Sequence, residues 1–181
     1  MSKKRQQLID TALQLFYERG INSVGINEIL AVSGIAKKTL YNHFTSKEEL
    51  VLAVLIQRND NFIAWLDMSL KEANTDIEVV NKLFNALSTW FSNTAAELGN
   101  FRGCFFINTS AEFSDPSSNI SQYCRDHKQQ VRQLISQYLS QSNDELLDTI
   151  CLLKEGAITM AYVNHDLSMP AKCIKIVEKL L

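Results

Sequence analysis

The stretch GIAKKTLYNHF, from Gly34 to Phe44, sets two lysines, a threonine, a tyrosine, an asparagine and a histidine into about two helical turns. Ile35, Leu40 and Phe44 are its apolar anchors, and 40 and 44 lie one turn apart on the face expected to meet a core. Lys37, Lys38, Tyr41 and Asn42 then gather on the opposite face, with Thr39 and His43 on the flanks. Gly34 turns the chain out of a shorter helix, about Ile26 to Ser33, whose Ile29, Leu30 and Val32 are expected to point inward. Ahead of that lies a helix striped with Leu8, Ile9, Ala12, Leu13 and Phe16, which stops at Gly20. After the stretch, Ser46 and Glu49 stand three apart as a capping box opening a long helix from about Lys47 to Ala73.

The remainder of the chain keeps the three-and-four spacing of apolar residues, and no long stretch alternates with period two. Helices are expected at about Asp76 to Leu98, Gly103 to Phe113, Ser118 to Gln141, Asp144 to Asn164 and Met169 to Leu181, the last with Pro170 in its first turn. An all-α fold follows. The 181 residues suffice for a real core and allow one domain or two.

No run of residues is long and apolar enough to cross a bilayer, and MSKKRQQLID lacks the apolar core of a secretion signal, so a soluble, cytoplasmic protein is expected. Cys104, Cys124, Cys151 and Cys173 lie 20, 27 and 22 positions apart, which is not a finger-like ligand spacing; as thiols they serve as small hydrophobes. The 18 basic and 20 acidic residues nearly balance, but residues 1 to 50 carry an excess of +2 and the rest −4. The basic groups are therefore concentrated where an anionic partner could be met.

Three short helices before a long one, with a glycine turn ahead of a polar third helix, fit a helix-turn-helix unit. Lysine donates to guanine O6 and N7, asparagine pairs with adenine, and threonine meets either a polar edge or a thymine methyl. Tyrosine, histidine and a lysine at a helix start suit phosphate, which positions without reading sequence. On composition alone, a merely solvated helix face fits these residues as well.

The run GINSVGINEILAVSGIAKKTLYNHFTSKEEL, Gly20 to Leu50, resembles the DNA-binding signature of TetR-family transcriptional repressors through its glycine turn, its TLYNHF core and its SKEEL start of a fourth helix. The resemblance implies about nine helices: a DNA-binding domain at residues 1–46 and a ligand-binding and dimerisation domain at 47–181. It implies base reading by Lys37, Lys38, Thr39 and Asn42, and phosphate contacts by Tyr41, His43 and Lys47. Two positions depart from the pattern, since Val24 stands where a Ser or Thr cap is frequent and Asn27 where a basic residue is common. More loosely, RGCFFINTSAEFSDPSSN and KEGAITMA resemble the C-terminal domain of regulators in one branch of the family.

A regulator released by a ligand needs a pocket connected to the fourth helix, because a dimer must hold its reading helices roughly 34–36 Å apart. Candidates from the fourth to the seventh helix are Phe62, Trp65, Leu66, Leu87, Trp90, Phe91, Phe105, Asn108, Tyr123 and His127, an aromatic wall with a few polar groups; plain core accounts for such a stripe equally. Glu112 is either a polar pocket group or part of a solvated helix end. Leu147, Ile150, Cys151, Ile158, Ala161, Ile174, Val177 and Leu181 suit a four-helix interface between two subunits, with burial inside one subunit as the alternative.

The expected function is a homodimeric repressor that binds a near-palindromic double-stranded DNA operator and is released by a small-molecule effector, with no membrane partner. No catalytic residue, cofactor or metal site is expected. Two other chemistries remain open: an oxidant-responsive regulator using Cys104 at a helix start, and a thiol or metal enzyme using Cys124 and His127, three apart on one face.

Overall fold

A computed structural model of the chain describes residues 2–140 and 144–180. Among the described residues there are nine α-helices, one 3-10 turn and no strand: α1 (Lys3–Arg19), α2 (Ile26–Ser33), α3 (Lys37–His43), α4 (Lys47–Leu70), α5 (Asp76–Phe91), the 3-10 turn Ala96–Leu98, α6 (Phe105–Glu112), α7 (Asn119–Tyr138), α8 (Asp144–Val163) and α9 (Met169–Val177). They form two compact units, Met1–Asp60 with Phe105–His127, and Asn61–Cys104 with Lys128–Leu181. Helices α4 and α7 each contribute residues to both.

In the first unit α1, α2 and α3 pack on one another. The stripe of α1 is Leu8, Ile9, Ala12, Leu15 and Phe16; Leu13 is only half-buried, because Leu15 completes the 8, 12, 15 row. Helix α2 also departs from expectation. It buries Ile29 and Ser33, one turn apart, leaves Leu30 half-buried, and turns Val32 out at 61% exposure. The buried serine is satisfied, since its Oγ accepts from the Ile35 N–H at 3.3 Å and its carbonyl from Gln7 Nε2 at 2.8 Å.

The α4 start follows half of the expected capping box. Ser46 Oγ accepts from the Glu49 N–H at 3.2 Å, but the Glu49 carboxylate reaches one residue further back, to the Thr45 N–H at 2.6 Å and the Thr45 hydroxyl at 2.8 Å. Those bonds, the backbone N–H first, hold the Glu49 carboxyl below its ordinary pKa. Helix α5 ends at Phe91 rather than Leu98: Asn93 enters the left-handed region at φ 62, and the Ser92 and Thr94 hydroxyls bond the Ser88 and Thr89 carbonyls.

In the second unit α5, α8 and α9 pack together around Val79, Leu83, Phe84, Ile150, Ala157 and Val177. Burial of each large apolar side chain contributes about 1.5–3 kcal/mol. An aromatic chain continues this core, with ring centroids 5.3 Å apart for Phe62 and Trp65, 5.6 Å for Phe62 and Trp90, and 4.6 Å for Phe91 and Phe101. Of the residues expected to face a second subunit, Leu147, Ile150, Ile158, Ala161 and Val177 are buried by this chain's own packing, and Cys151 and Ile174 are half-buried. Leu181 lies outside the described residues. Exposed apolar residues include Leu152, Met160 and Val163 of α8, a three-and-four stripe with Gly156, and Ile176 of α9 with Leu180 just beyond it.

Candidate nucleic-acid interface

Helix α3 exists because its ends and one face are fixed by neighbours; it is too short to hold itself. Gly34, at φ 67, donates its N–H to the Leu30 carbonyl at 2.9 Å and closes α2 in the left-handed conformation that glycine adopts freely. Ile35, Leu40 and Phe44 are buried, and the Arg5 guanidinium lies 5.0 Å over the Phe44 ring. That side is thereby committed to the unit's interior. Lys37, Lys38, Tyr41 and Asn42 are exposed on the other side, and Thr39 and His43 are half-buried between them. The face carries two ammonium groups, an amide, a phenol and a hydroxyl without a carboxylate among them, which suits it to an acceptor-rich, anionic surface.

Around this face the helix ends are knitted together. Arg19 pairs with Glu28 across the α1–α2 turn. Val24 is fully buried and Gly25 precedes α2 without a side-chain cap, so α2 starts on a packed residue instead of a hydroxyl; Asn27 is exposed. Lys47 does not point outward with the other cations. Its Nζ donates to the Ile21 carbonyl at 2.6 Å and lies 5.7 Å over the Phe16 ring. Glu112, the half-buried last residue of α6, turns its carboxylate to backbone, accepting from the Ile21 N–H at 2.9 Å and the Asn22 N–H at 2.6 Å.

The expected pocket residues divide between the units. Phe62, Trp65, Leu66, Leu87, Trp90 and Phe91 are buried together in the second. Trp65 also borders a groove there of about 560 Å³, shared with Asn61, Met68, Thr89, Thr94 and Glu97. Phe105, Asn108, Tyr123 and His127 belong to the first unit. His127 is buried, lies flat on Phe106 at 3.5 Å between centroids, and meets Asn59 Oδ1 through Nδ1 at 2.8 Å. Phe106 and Asn59 were missed from sequence because a stacked ring and an amide on another helix carry no local signal. Burial, then Asp60 and Asp126, push the Tyr123 phenol up.

The imidazole committed to Asn59 and Phe106 is the arrangement of a satisfied core histidine, and among the described residues no three His, Cys, Asp or Glu side chains group as a metal site. Cys104, buried in the second unit, has Lys128 Nζ 3.3 Å from its sulfur. Lys128 in turn reaches Glu155 at 2.7 Å, and Lys154 pairs with the same carboxylate. Burial opposes the charge on Lys128, but the Cys104 sulfur and Glu155 outweigh it and raise its pKa. No helix of the described residues is long and apolar enough to cross a membrane.

Residues 8–54 match the sequence pattern of the bacterial regulatory proteins of the tetR family. The chain is 39% identical over 69 residues to the transcriptional activator FasR of Mycolicibacterium smegmatis, which spans 38% of this chain and 32% of that protein. It is 27% identical over 138 residues to the transcriptional repressor ComR of Escherichia coli, spanning 76% of this chain and 64% of ComR. These matches therefore cover from about a third to just under two thirds of the relatives' own length. The fold superposes on the crystal structure of a TetR-family transcriptional regulator from Streptomyces coelicolor with a TM-score of 0.84 at 26% identity, covering 97% of this chain and 93% of that one. Residues 8–54 therefore carry the helix-turn-helix of the tetR family of bacterial regulatory proteins, and the chain shares the all-helical architecture of a TetR-family regulator along nearly its whole length.

Proposed function

We propose that the protein is a homodimeric transcriptional repressor that reads a near-palindromic DNA operator with α3 and leaves it when a small molecule binds. The observation that carries this is the division of α3, with Ile35, Leu40 and Phe44 buried and Lys37, Lys38, Tyr41 and Asn42 exposed. In this reading Lys37, Lys38, Thr39 and Asn42 meet base edges, and Tyr41 and His43 meet phosphates. Lys47 reaches a phosphate only by leaving the Ile21 carbonyl. Residues 1–46 serve DNA binding; residues 47–181 serve the effector and dimerisation, in the cytoplasm where DNA is met.

The second copy is proposed to cover the stripe of Leu152, Gly156, Met160 and Val163 together with Ile176, since an apolar row of this kind is unfavourable in water. The effector is proposed to meet the aromatic residues Phe62, Trp65, Trp90 and Phe91, with Leu66 and Leu87, in the second unit. Repression is preferred over activation because the relative matched over more of this chain, ComR, is a repressor, while FasR is an activator.

The test is selection of fragments from a random DNA pool by the purified full chain, followed by affinity at two salt concentrations. A palindromic consensus bound more weakly at higher salt supports the reading. A folded, dimeric protein that enriches no sequence, before and after unfolding and refolding to strip bound ligand, refutes it. A promoter carrying the consensus, assayed with and without the protein, then separates repression from activation.

A second reading is supported by one contact, the 3.3 Å approach of Lys128 Nζ to Cys104 Sγ. Here an oxidant acting on Cys104 takes the part of the small-molecule effector. Cys104→Ser that still loses its operator on oxidant treatment, as the parent does, rules this version out.

A further inference from the structure

The turn that follows α1 is held by its backbone from two sides. Gly20 leads into it at φ 85, Ile21 is fully buried, and Asn22 is exposed. From α6, Glu112 Oε1 accepts from the Ile21 N–H at 2.9 Å and Oε2 accepts from the Asn22 N–H at 2.6 Å. From the start of α4, Lys47 Nζ donates to the Ile21 carbonyl at 2.6 Å. The Val24 N–H also reaches that carbonyl, at 3.3 Å, so the turn and the approach to α2 share one anchor. Gly20 leaves the room this needs: a Cβ there would stand 3.2 Å from Glu112 Oε1.

A carboxylate accepting two adjacent backbone N–H groups is a charge-assisted, two-point attachment, stronger and more directional than two neutral bonds. It fixes both the position and the tilt of the peptide units it grips. Those units run through the buried Val24 into α2, and Gly34 joins α2 to α3. Glu112 lies outside the helix-turn-helix, at the end of α6, and holds the turn that leads into it.

We propose that Glu112 is a positioning residue for DNA recognition, clamping the turn after α1 together with Lys47 so that α2 and α3 are held in the geometry that reads the operator. This rests on α3 being the DNA-reading helix. It assigns Lys47 to the clamp instead of to a phosphate. It also opposes plain electrostatics: a carboxylate that mattered only as a surface charge would repel DNA, and its removal would tighten binding.

The experiment uses the full chain, an operator duplex taken from the random-pool selection, and a random-sequence duplex of the same length. Glu112→Gln is expected to weaken operator binding about tenfold, the worth of one charge-assisted hydrogen bond, and to leave random-sequence binding equal or tighter. Glu112→Asp keeps the charge but falls a methylene short, and it is expected to lose operator affinity in the same way. Glu18→Gln, which neutralises an exposed carboxylate of α1 outside the clamp, is expected to show no loss.

Lys47→Gln is expected to weaken operator binding while its salt slope stays that of the parent. A slope shallower by about 1 would return Lys47 to the phosphates and overturn its place in the clamp. Operator affinity of Glu112→Gln equal to or above the parent's overturns the proposal, and should that variant fail to fold, Glu112→Asp decides by the same criterion. A parent chain that selects no DNA sequence would refute the DNA-reading assignment itself, a result distinct from failure of the clamp.

Discussion

Asn42→Ala isolates recognition from folding. The Asn42 side chain is exposed, and among the described residues it meets no hydrogen-bonding partner, so its removal leaves no buried group unsatisfied. Alanine is the better helix former by about 0.5 kcal/mol, so α3 should be slightly more stable after the change. Any loss of binding must then come from the missing contact with DNA. A bidentate asparagine–adenine pair is worth about 1–3 kcal/mol of discrimination, which converts to roughly 5- to 150-fold weaker operator binding. The assay is a titration of labelled operator at two salt concentrations, beside thermal unfolding of both proteins. The expected result is a lower affinity with an unchanged salt slope and an unchanged or higher unfolding temperature, together with a relaxed preference at one base pair when the pool selection is repeated. Equal affinity and an unaltered consensus would refute base reading by Asn42.

Leu40→Ala empties a fully buried site behind the reading face and should cost about 2–5 kcal/mol in chemical denaturation, with α3 the first helix lost. Leu152→Glu combined with Val163→Glu, at positions exposed in the single chain, should give a folded monomer by sedimentation; a dimer of undiminished strength would exclude that face. Burial opposes ionisation of Glu155, but Lys154 and Lys128 overcome it and hold the carboxyl below its ordinary 4.5. Its contribution is therefore complete above about pH 4.5 and is lost as pH falls through the lower value in the folded chain. Thermal unfolding followed from about pH 6 down to about pH 3 should thus decline less steeply for Glu155→Gln than for the parent, and parallel declines would show that the cluster does not supply the acid sensitivity.

The sequence was most legible where chemistry and period agree. In Gly34 to Phe44, apolar residues recur at one turn, a glycine stands where the left-handed conformation is needed, and the polar remainder has one side left to occupy. Helix α2 shows the limit of that logic. Eight residues span little more than two turns, so a valine and a serine compete for one place, and the serine takes it because Ile35 and Gln7 satisfy its polar atoms. Helix α8 misled in another way. Being apolar round most of its circumference, it offers two candidate faces, and the choice between them was made by α5 and α9, which cover Ile150, Ala157 and Ile158. Glu112 could not be placed from sequence at all, since its partners lie 90 and 91 positions away and are backbone N–H groups that every residue but proline possesses.

The first compact unit is not a continuous piece of chain, and this bears on how the protein is made. Its residues up to 60 leave the ribosome early, but Glu112 and His127, which hold Ile21 and Asn59, follow only after the intervening segment. At a synthesis rate of about 5–20 residues per second, residue 112 trails residue 60 by roughly 3 to 10 s. For that interval the nascent helix-turn-helix has its sequence complete and its clamp missing. A truncated product ending near residue 60 would carry every residue of α3 and none of the grip that α6 supplies, so a DNA-binding fragment cut there should read its operator worse than the whole chain does.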